Sequence, residues 1–153
     1  MQLSLAPIRG HTDYIYRNTL ARHFSGIDVF FSPFITTVKG HVVKESHIKD
    51  IIPKYNKGLV VVPQIIGKNA EEFIVLANQI AAMGYPVVNW NLGCPYPMVV
   101  NKKRGAGLLP YPELIRDFLA EVSGLRCSLF AGRSRTDYNK VIGGHGIVLI
   151  SSV

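Results

Sequence analysis

Short apolar runs and amphipathic stretches take turns along this chain, and that alternation limits its fold more than any other feature. Residues 3–6, 27–32, 59–66 and 86–92 read as strands. A helix capped by Thr12 or Asp13 runs to about His23, with Ile15, Tyr16, Thr19 and Leu20 on its expected inner face. A second follows Asn69-Ala70-Glu71-Glu72, a capping box with Asn69 as N-cap and Glu72 reaching back. It carries Phe73, Ile74, Ala77, Ile80 and Ala81 inward and stops at Gly84. A third starts at Pro112, turns Leu114, Ile115, Phe118, Leu119 and Val122 to one side, and closes at Gly124. Residues 36–56 are polar and irregular, with a short helix near 45–51. Pro63 is awkward inside the third strand, because proline donates no ladder hydrogen bond. Strands and helices at this spacing imply βα units, a parallel sheet and the α/β class.

From about residue 123 the pattern weakens. Residues 127–131 offer a fifth strand, residues 132–146 are polar and glycine-rich, and 146–153 turn apolar again. A complete (β/α)8 TIM barrel needs about 250 residues. The 153 residues here are read as a partial barrel of about four to five βα units over 1–122, with an off-pattern tail over 123–153. An open parallel sheet of that size exposes strand edges and apolar surface, so self-association is expected.

The composition is globular, at 48% hydrophobic and 18% charged, which excludes a disordered chain. No run of 18 or more uncharged apolar residues suggests a membrane span, and the N-terminus lacks the pattern of a signal peptide. Two cysteines, Cys94 and Cys127, are too few for a disulfide framework, so a reducing cytoplasm is the expected setting. His11, His23, His41, His47 and His145 have no metal-ligand spacing and read as surface or loop residues. The net charge of +7 favours a polyanionic partner such as RNA. Lys102-Lys103-Arg104 is the one tight basic cluster, and a solvated loop is its plainer reading.

Residues 89–109 carry the chemistry. Val87-Val88 leads into Asn89-Trp90-Asn91, then Gly93 and Pro95 bracket Cys94, the basic cluster follows, and Gly105 and Gly107 come after it. A buried strand ends, turns sharply and presents a thiol at its C-terminal tip, where α/β barrels keep their active sites. Trp90 alternates with the two asparagines and so packs outward under a helix. A lone cysteine is most often a small buried hydrophobe, and Cys127, with no motif around it, reads that way.

Four segments, in order and spacing, resemble the tRNA-dihydrouridine synthases. They are Ala6-Pro7-Ile8-Arg9-Gly10-His11-Thr12-Asp13 with Arg17, then Ser32-Pro33-Phe34, then Pro63-Gln64-Ile65-Ile66-Gly67, and Asn91-Leu92-Gly93-Cys94-Pro95 with Gly105-Ala106-Gly107-Leu108-Leu109. The resemblance implies a barrel with flavin mononucleotide (FMN) across its C-terminal mouth, reduced by NADPH or NADH. It implies hydride transfer to C6 of a tRNA uridine, with a cysteine thiol giving the proton to C5. A thiol is protonated at neutral pH yet can give up its proton, which suits a general acid. By this resemblance Cys94 is the acid, Gln64 binds the isoalloxazine ring, Asn91 faces the flavin or the base, and Ala6, Pro7 and Ile8 pass their backbone beside the flavin. Arg9, Lys102, Lys103 and Arg104 would meet tRNA phosphate.

The chain departs from the family in two places. Ile8 stands where methionine is usual. The fifth-strand lysine that binds flavin is replaced by Gly132 or Arg133, depending on register. A truncated or frame-shifted product with impaired activity is therefore expected. Two rival readings are an FMN-dependent barrel of the dihydroorotate or dihydropyrimidine dehydrogenase type, and an inactive half-barrel.

Overall fold

The computed structural model describes residues 3–37, 43, 45–129, 142–143 and 146–151, with only the backbone course for 125–129 and beyond. The strands are β1 (Ser4–Leu5), β2 (Val29–Phe31), β3 (Ile35–Thr36), β4 (Val61–Val62), β5 (Gln64–Ile66), β6 (Val87–Asn91), β7 (Ile142–Gly143) and β8 (Gly146–Ser151). The helices are α1 (Tyr14–His23), α2 (Glu45–Ile48), α3 (Ala70–Ala82), α4 (Pro97–Val100) and α5 (Pro112–Leu129). Two 3₁₀ turns, Lys49–Ile51 and Pro53–Tyr55, follow α2, and a third, Gly105–Leu108, follows α4.

The result is a mixed α/β fold with parallel sheets. One sheet runs β1-β2-β4 and the other β3-β5-β6-β8-β7, with every pairing parallel except the β7–β8 hairpin. The expected single strand over 59–66 is divided at Pro63 into β4 and β5, and Pro33 lies between β2 and β3 in the same way. A proline nitrogen has no hydrogen to donate, so the ladder is interrupted at both places. Ser32 bridges the interruption. Its N–H donates to Val62 O at 3.0 Å, and its hydroxyl accepts from Gln64 N–H at 3.1 Å. Followed along the chain, β1, β2/β3, β4/β5, β6 and β8 each lie beside the one before. Among these parallel strands the order does not reverse, as it does at the switch point of a doubly wound sheet, and the short β7 adds antiparallel to the outer edge of β8.

The main core lies between the second sheet and the helices α3 and α5. The Asn69 side chain caps α3 by accepting from Glu72 N–H at 2.8 Å, and Phe73, Leu76 and Ile80 are buried along it. Gly84, at φ +96°, turns the chain out of the helix. Trp90 is fully buried on the outward side of β6. It stacks on Phe118 of α5 with ring centroids 3.9 Å apart, and its indole N–H donates to Gly67 O at 3.0 Å. Phe73 closes this cluster edge-on to both rings. Aromatic pairs of this geometry add to the stabilisation from burial alone.

Two expectations at the C-terminal side are corrected. Gly124 does not end α5, which continues to Leu129. A glycine inside a helix costs only about 1 kcal/mol relative to alanine, so a long amphipathic helix tolerates it. Residues 127–129 are therefore helical, and the strand beside β6 is β8, in register from Val87↔Ile147 to Asn91↔Ser151. His41, His145 and the segment with Gly132 and Arg133 lie outside the described residues. No described helix is long and apolar enough to cross a membrane.

The inner face of α1 is also corrected. Ile15 and Tyr16 are 58% and 43% exposed, and Thr19 is exposed as well, whereas Arg17 is completely buried. Its guanidinium donates to the Asp50 carboxylate at 2.8 Å, Thr12 O at 2.9 Å, Asp50 O at 2.8 Å and Asn56 Oδ1 at 2.9 Å. Asp50 also accepts from Tyr14 N–H at 2.6 Å, and Tyr14 stacks on Tyr55. This helix docks through a polar anchor, so its apolar residues did not mark the buried side. Tyr85 donates to Ile51 O nearby, and burial pushes its phenol above the usual range, with Arg17 opposing and Asp50 reinforcing the shift.

Removing one partner of a buried ion pair strands the other charge. Asp50→Ala is expected to lower stability by about 3 kcal/mol. Breaking the exposed Arg116–Asp117 pair should cost under about 1 kcal/mol. Urea unfolding followed by the fluorescence of Trp90, the sole tryptophan, measures both. Equal midpoints for the two variants would contradict the anchoring role of Asp50.

Candidate active site

The turn after β1 is built by the motif that opens the chain. Gly10 takes a left-handed φ of +84°, and the N–H groups of His11 and Thr12 both donate to Ile8 O. The Thr12 hydroxyl accepts from Ile8 N–H at 2.8 Å and is buried beneath the turn. Asp13 then caps α1 by accepting from Tyr16 N–H at 2.9 Å. Thr12 and Asp13 thus both hold backbone, and Thr12 ties the turn that carries Ile8. The Arg9 guanidinium lies 5.0 Å over the Phe34 ring, a cation–π contact that joins this turn to the segment after β2.

Gln64 and Asn89 are register partners on β5 and β6 and face the same side. The Gln64 amide nitrogen donates to Asn89 Oδ1 at 2.8 Å. The Asn91 amide nitrogen donates to Gln64 Oε1 at 2.7 Å. Asn91 Oδ1 in turn accepts from Gly93 N–H at 3.1 Å and Cys94 N–H at 2.9 Å. Gln64 and Asn89 are buried, while Asn91 and Cys94 are half-buried. Side-chain oxygens that accept from the backbone two and three residues ahead are a standard way of closing a turn.

The loop beyond Cys94 folds back on it. Ala106 N–H donates to Cys94 O at 3.0 Å. A Cβ on Gly105 would stand 2.7 Å from Cys94 O, and one on Gly107 would stand 2.4 Å from Val100 O. Only glycine admits such close approach of two backbones. Lys102 and Lys103 are exposed, and Arg104 is half-buried. Lys103 has a left-handed φ of +52°, and its ammonium sits 4.2 Å over the Tyr111 ring.

A cleft of about 370 Å³ opens where these segments converge. Ala6, Pro7, Ile8 and Arg9 form one wall, Pro33 and Phe34 another, and Gln64, Asn91, Gly93, Cys94 and Pro95 the third. The structure therefore brings together seven of the residues singled out from sequence: Ala6, Pro7, Ile8, Arg9, Gln64, Asn91 and Cys94. It does not bring Lys102, Lys103 or Arg104 into the cleft lining; they lie on the adjoining loop. Pro33 and Phe34 stand in a segment that carries the resemblance but receive no site role from the sequence, and Asn89 receives none either. Asn89 carried a signal, since it shares the strand face of Asn91 by alternation. A crevice of about 20 Å³ between α3 and α5 has room for little more than a water. Among the described residues no group of His, Cys, Asp and Glu could hold a metal ion.

Gly105 and Gly10 give a test of the loop contact. Gly10 has open space around its missing Cβ, so Gly10→Ala should cost only left-handed strain, about 1 kcal/mol. Gly105→Ala meets Cys94 as well and should cost more. It should also change the rate of Cys94 alkylation by iodoacetamide, which Gly10→Ala should not. Identical labelling in both variants would mean the loop does not hold the cysteine turn.

A model of the dihydrouridine synthase family (Dus) matches residues 4–125. The tRNA-dihydrouridine(16) synthase of Pseudomonas putida is 33% identical over 128 residues, covering 80% of this chain and 39% of that protein. The tRNA-dihydrouridine(16) synthase of Aquipseudomonas alcaligenes is 31% identical over 127 residues, covering 80% and 40%. A probable tRNA-dihydrouridine synthase of Staphylococcus aureus is 26% identical over 140 residues, covering 90% and 42%. The chain thus spans about two fifths of the length of these relatives.

Proposed function

The chain belongs to the dihydrouridine synthase family, and from that premise we propose that it forms the N-terminal βα units of a flavin-dependent enzyme that reduces uridine to 5,6-dihydrouridine in tRNA. The unreversed strand order supports four to five units of a (β/α)8 barrel, and the cleft sits at the C-terminal strand ends, where such barrels keep their chemistry. The observation that carries the reading is Cys94, a half-buried thiol in the same cleft as Gln64 and Asn91.

The residues present suit the flat ring of FMN. A cleft of about 370 Å³ is of ligand size, and its lining is mostly apolar with a few polar groups. Ala6, Pro7 and Ile8 offer a backbone wall. The hydrogen bonds made by Gln64 and Asn91 leave each carboxamide one N–H for a ligand. When bound and reduced by NADPH or NADH, the flavin supplies the hydride that C6 of the uracil receives. Cys94 supplies the matching proton to C5, and its thiolate regains a proton from water. The target base must leave its stack to enter, at a cost of a few kcal/mol. Arg9 at the cleft and Lys102, Lys103 and Arg104 on the adjoining loop hold tRNA phosphates, a contribution independent of sequence.

Cys94→Ala in a full-length enzyme carrying this segment should abolish turnover on tRNA while leaving reduction of the flavin by NADPH nearly intact. A tRNA with uridine at position 16, the position in the names of two relatives, is the substrate to try first. Full turnover by Cys94→Ala would remove the general-acid role.

Replacing Lys102, Lys103 and Arg104 by alanine should weaken tRNA binding and flatten its salt dependence. Each lost phosphate contact lowers the log–log slope by about 1. An unchanged slope would leave the cluster as a solvated loop.

A further inference from the structure

The polarity of the amide chain beneath Cys94 is set at one end. Asn91 must turn its oxygen toward Gly93 and Cys94, because both backbone groups there are donors. Its NH₂ therefore faces Gln64, which must answer with Oε1. The Gln64 NH₂ is then left facing β6, where Asn89 must present an oxygen. The order is forced, since a reversed carboxamide anywhere would set donor against donor or acceptor against acceptor. Asn89 is completely buried, and its register partner is Gln64.

We propose that Asn89 is a positioning residue for the candidate active site, its buried carboxamide oxygen fixing the orientation of Gln64 and, through Asn91, the turn that presents the Cys94 thiol. The inference rests on the proposed function for the importance of that turn, but its physical content stands apart. What Gln64 requires of position 89 is an acceptor. An aspartate there supplies one; a leucine of similar size does not. Without it, the Gln64 NH₂ loses its acceptor, and the carboxamide is held only at Oε1 by Asn91. Asn91 then loses a fixed partner, and the caps on Gly93 and Cys94 loosen.

Hydrogen exchange of the backbone amides, read by mass spectrometry on peptides spanning residues 91–96, tests this on the chain itself. Asn89→Leu and Gln64→Leu should each speed exchange at Gly93 and Cys94 by about tenfold, the scale of one lost hydrogen bond. Amides of α3 should keep their parent rates. Asn89→Asp should retain parent protection at Gly93 and Cys94. A purely structural role would raise exchange throughout the core and would not distinguish aspartate from leucine. Parent-like exchange in both leucine variants overturns the proposal, and so does an aspartate variant as unprotected as Asn89→Leu. Should Asn89→Leu fail to fold, Asn89→Asp decides alone: retained protection supports the relay, and lost protection overturns it. None of these readings depends on turnover. Failure of Cys94 as general acid would leave the exchange pattern standing, and failure of the relay would leave the Cys94→Ala test of turnover unaffected.

Discussion

A buried polar side chain must find its partners inside the fold or destabilise it by the full cost of losing water. That constraint governs this chain. It carries Gln64 and Asn89 inside a parallel ladder, Arg17 inside a helix contact and Ser32 at a strand break, all essentially without solvent. Most of these groups are answered nearby: the carboxamides by one another, the terminal nitrogens of Arg17 by Asp50, Thr12 and Asn56 while its Nε goes without a hydrogen bond among the described residues, and Ser32 by the backbone on either side of Pro63. The apolar core of Trp90, Phe118 and Phe73 supplies the driving force on the outer side of β6. The polar layer on the inner side decides which groups face the cleft.

Much of this was legible in the sequence, and the reasons differ by element. α3 could be read from its cap and its periodicity, because it packs as an ordinary amphipathic helix on a sheet. Trp90 could be placed by alternation with the asparagines. The inner face of α1 could not be read, because apolar periodicity assumes an apolar contact and this helix is held by Arg17. The end of α5 was missed for a related reason. Gly124 carries the stop signal of a C-cap, but a cap requires the left-handed conformation, and Gly124 stays helical.

At the site, the motif residues were visible and their division of labour was not. Thr12 and Asp13 look like site residues in a motif, yet one ties a turn and the other caps a helix. Asn89 looks like a strand residue, yet it belongs to the polar layer. The difference lies in register, which pairs Gln64 with Asn89 across two strands far apart in sequence. No local pattern encodes that pairing.

Lys103 has a consequence for any anion that approaches the loop after Cys94. A lysine on the surface ordinarily samples many rotamers, and gripping an anion freezes them at an entropic cost. Lys103 is already held, its backbone in an uncommon left-handed turn and its ammonium resting on the face of Tyr111. Neighbouring Lys102, also exposed, makes no such ring contact among the described residues. Two adjacent cations of the same charge thus differ: the ammonium of Lys103 has a fixed place before any anion arrives, and that of Lys102 has no ring to rest on among the described residues.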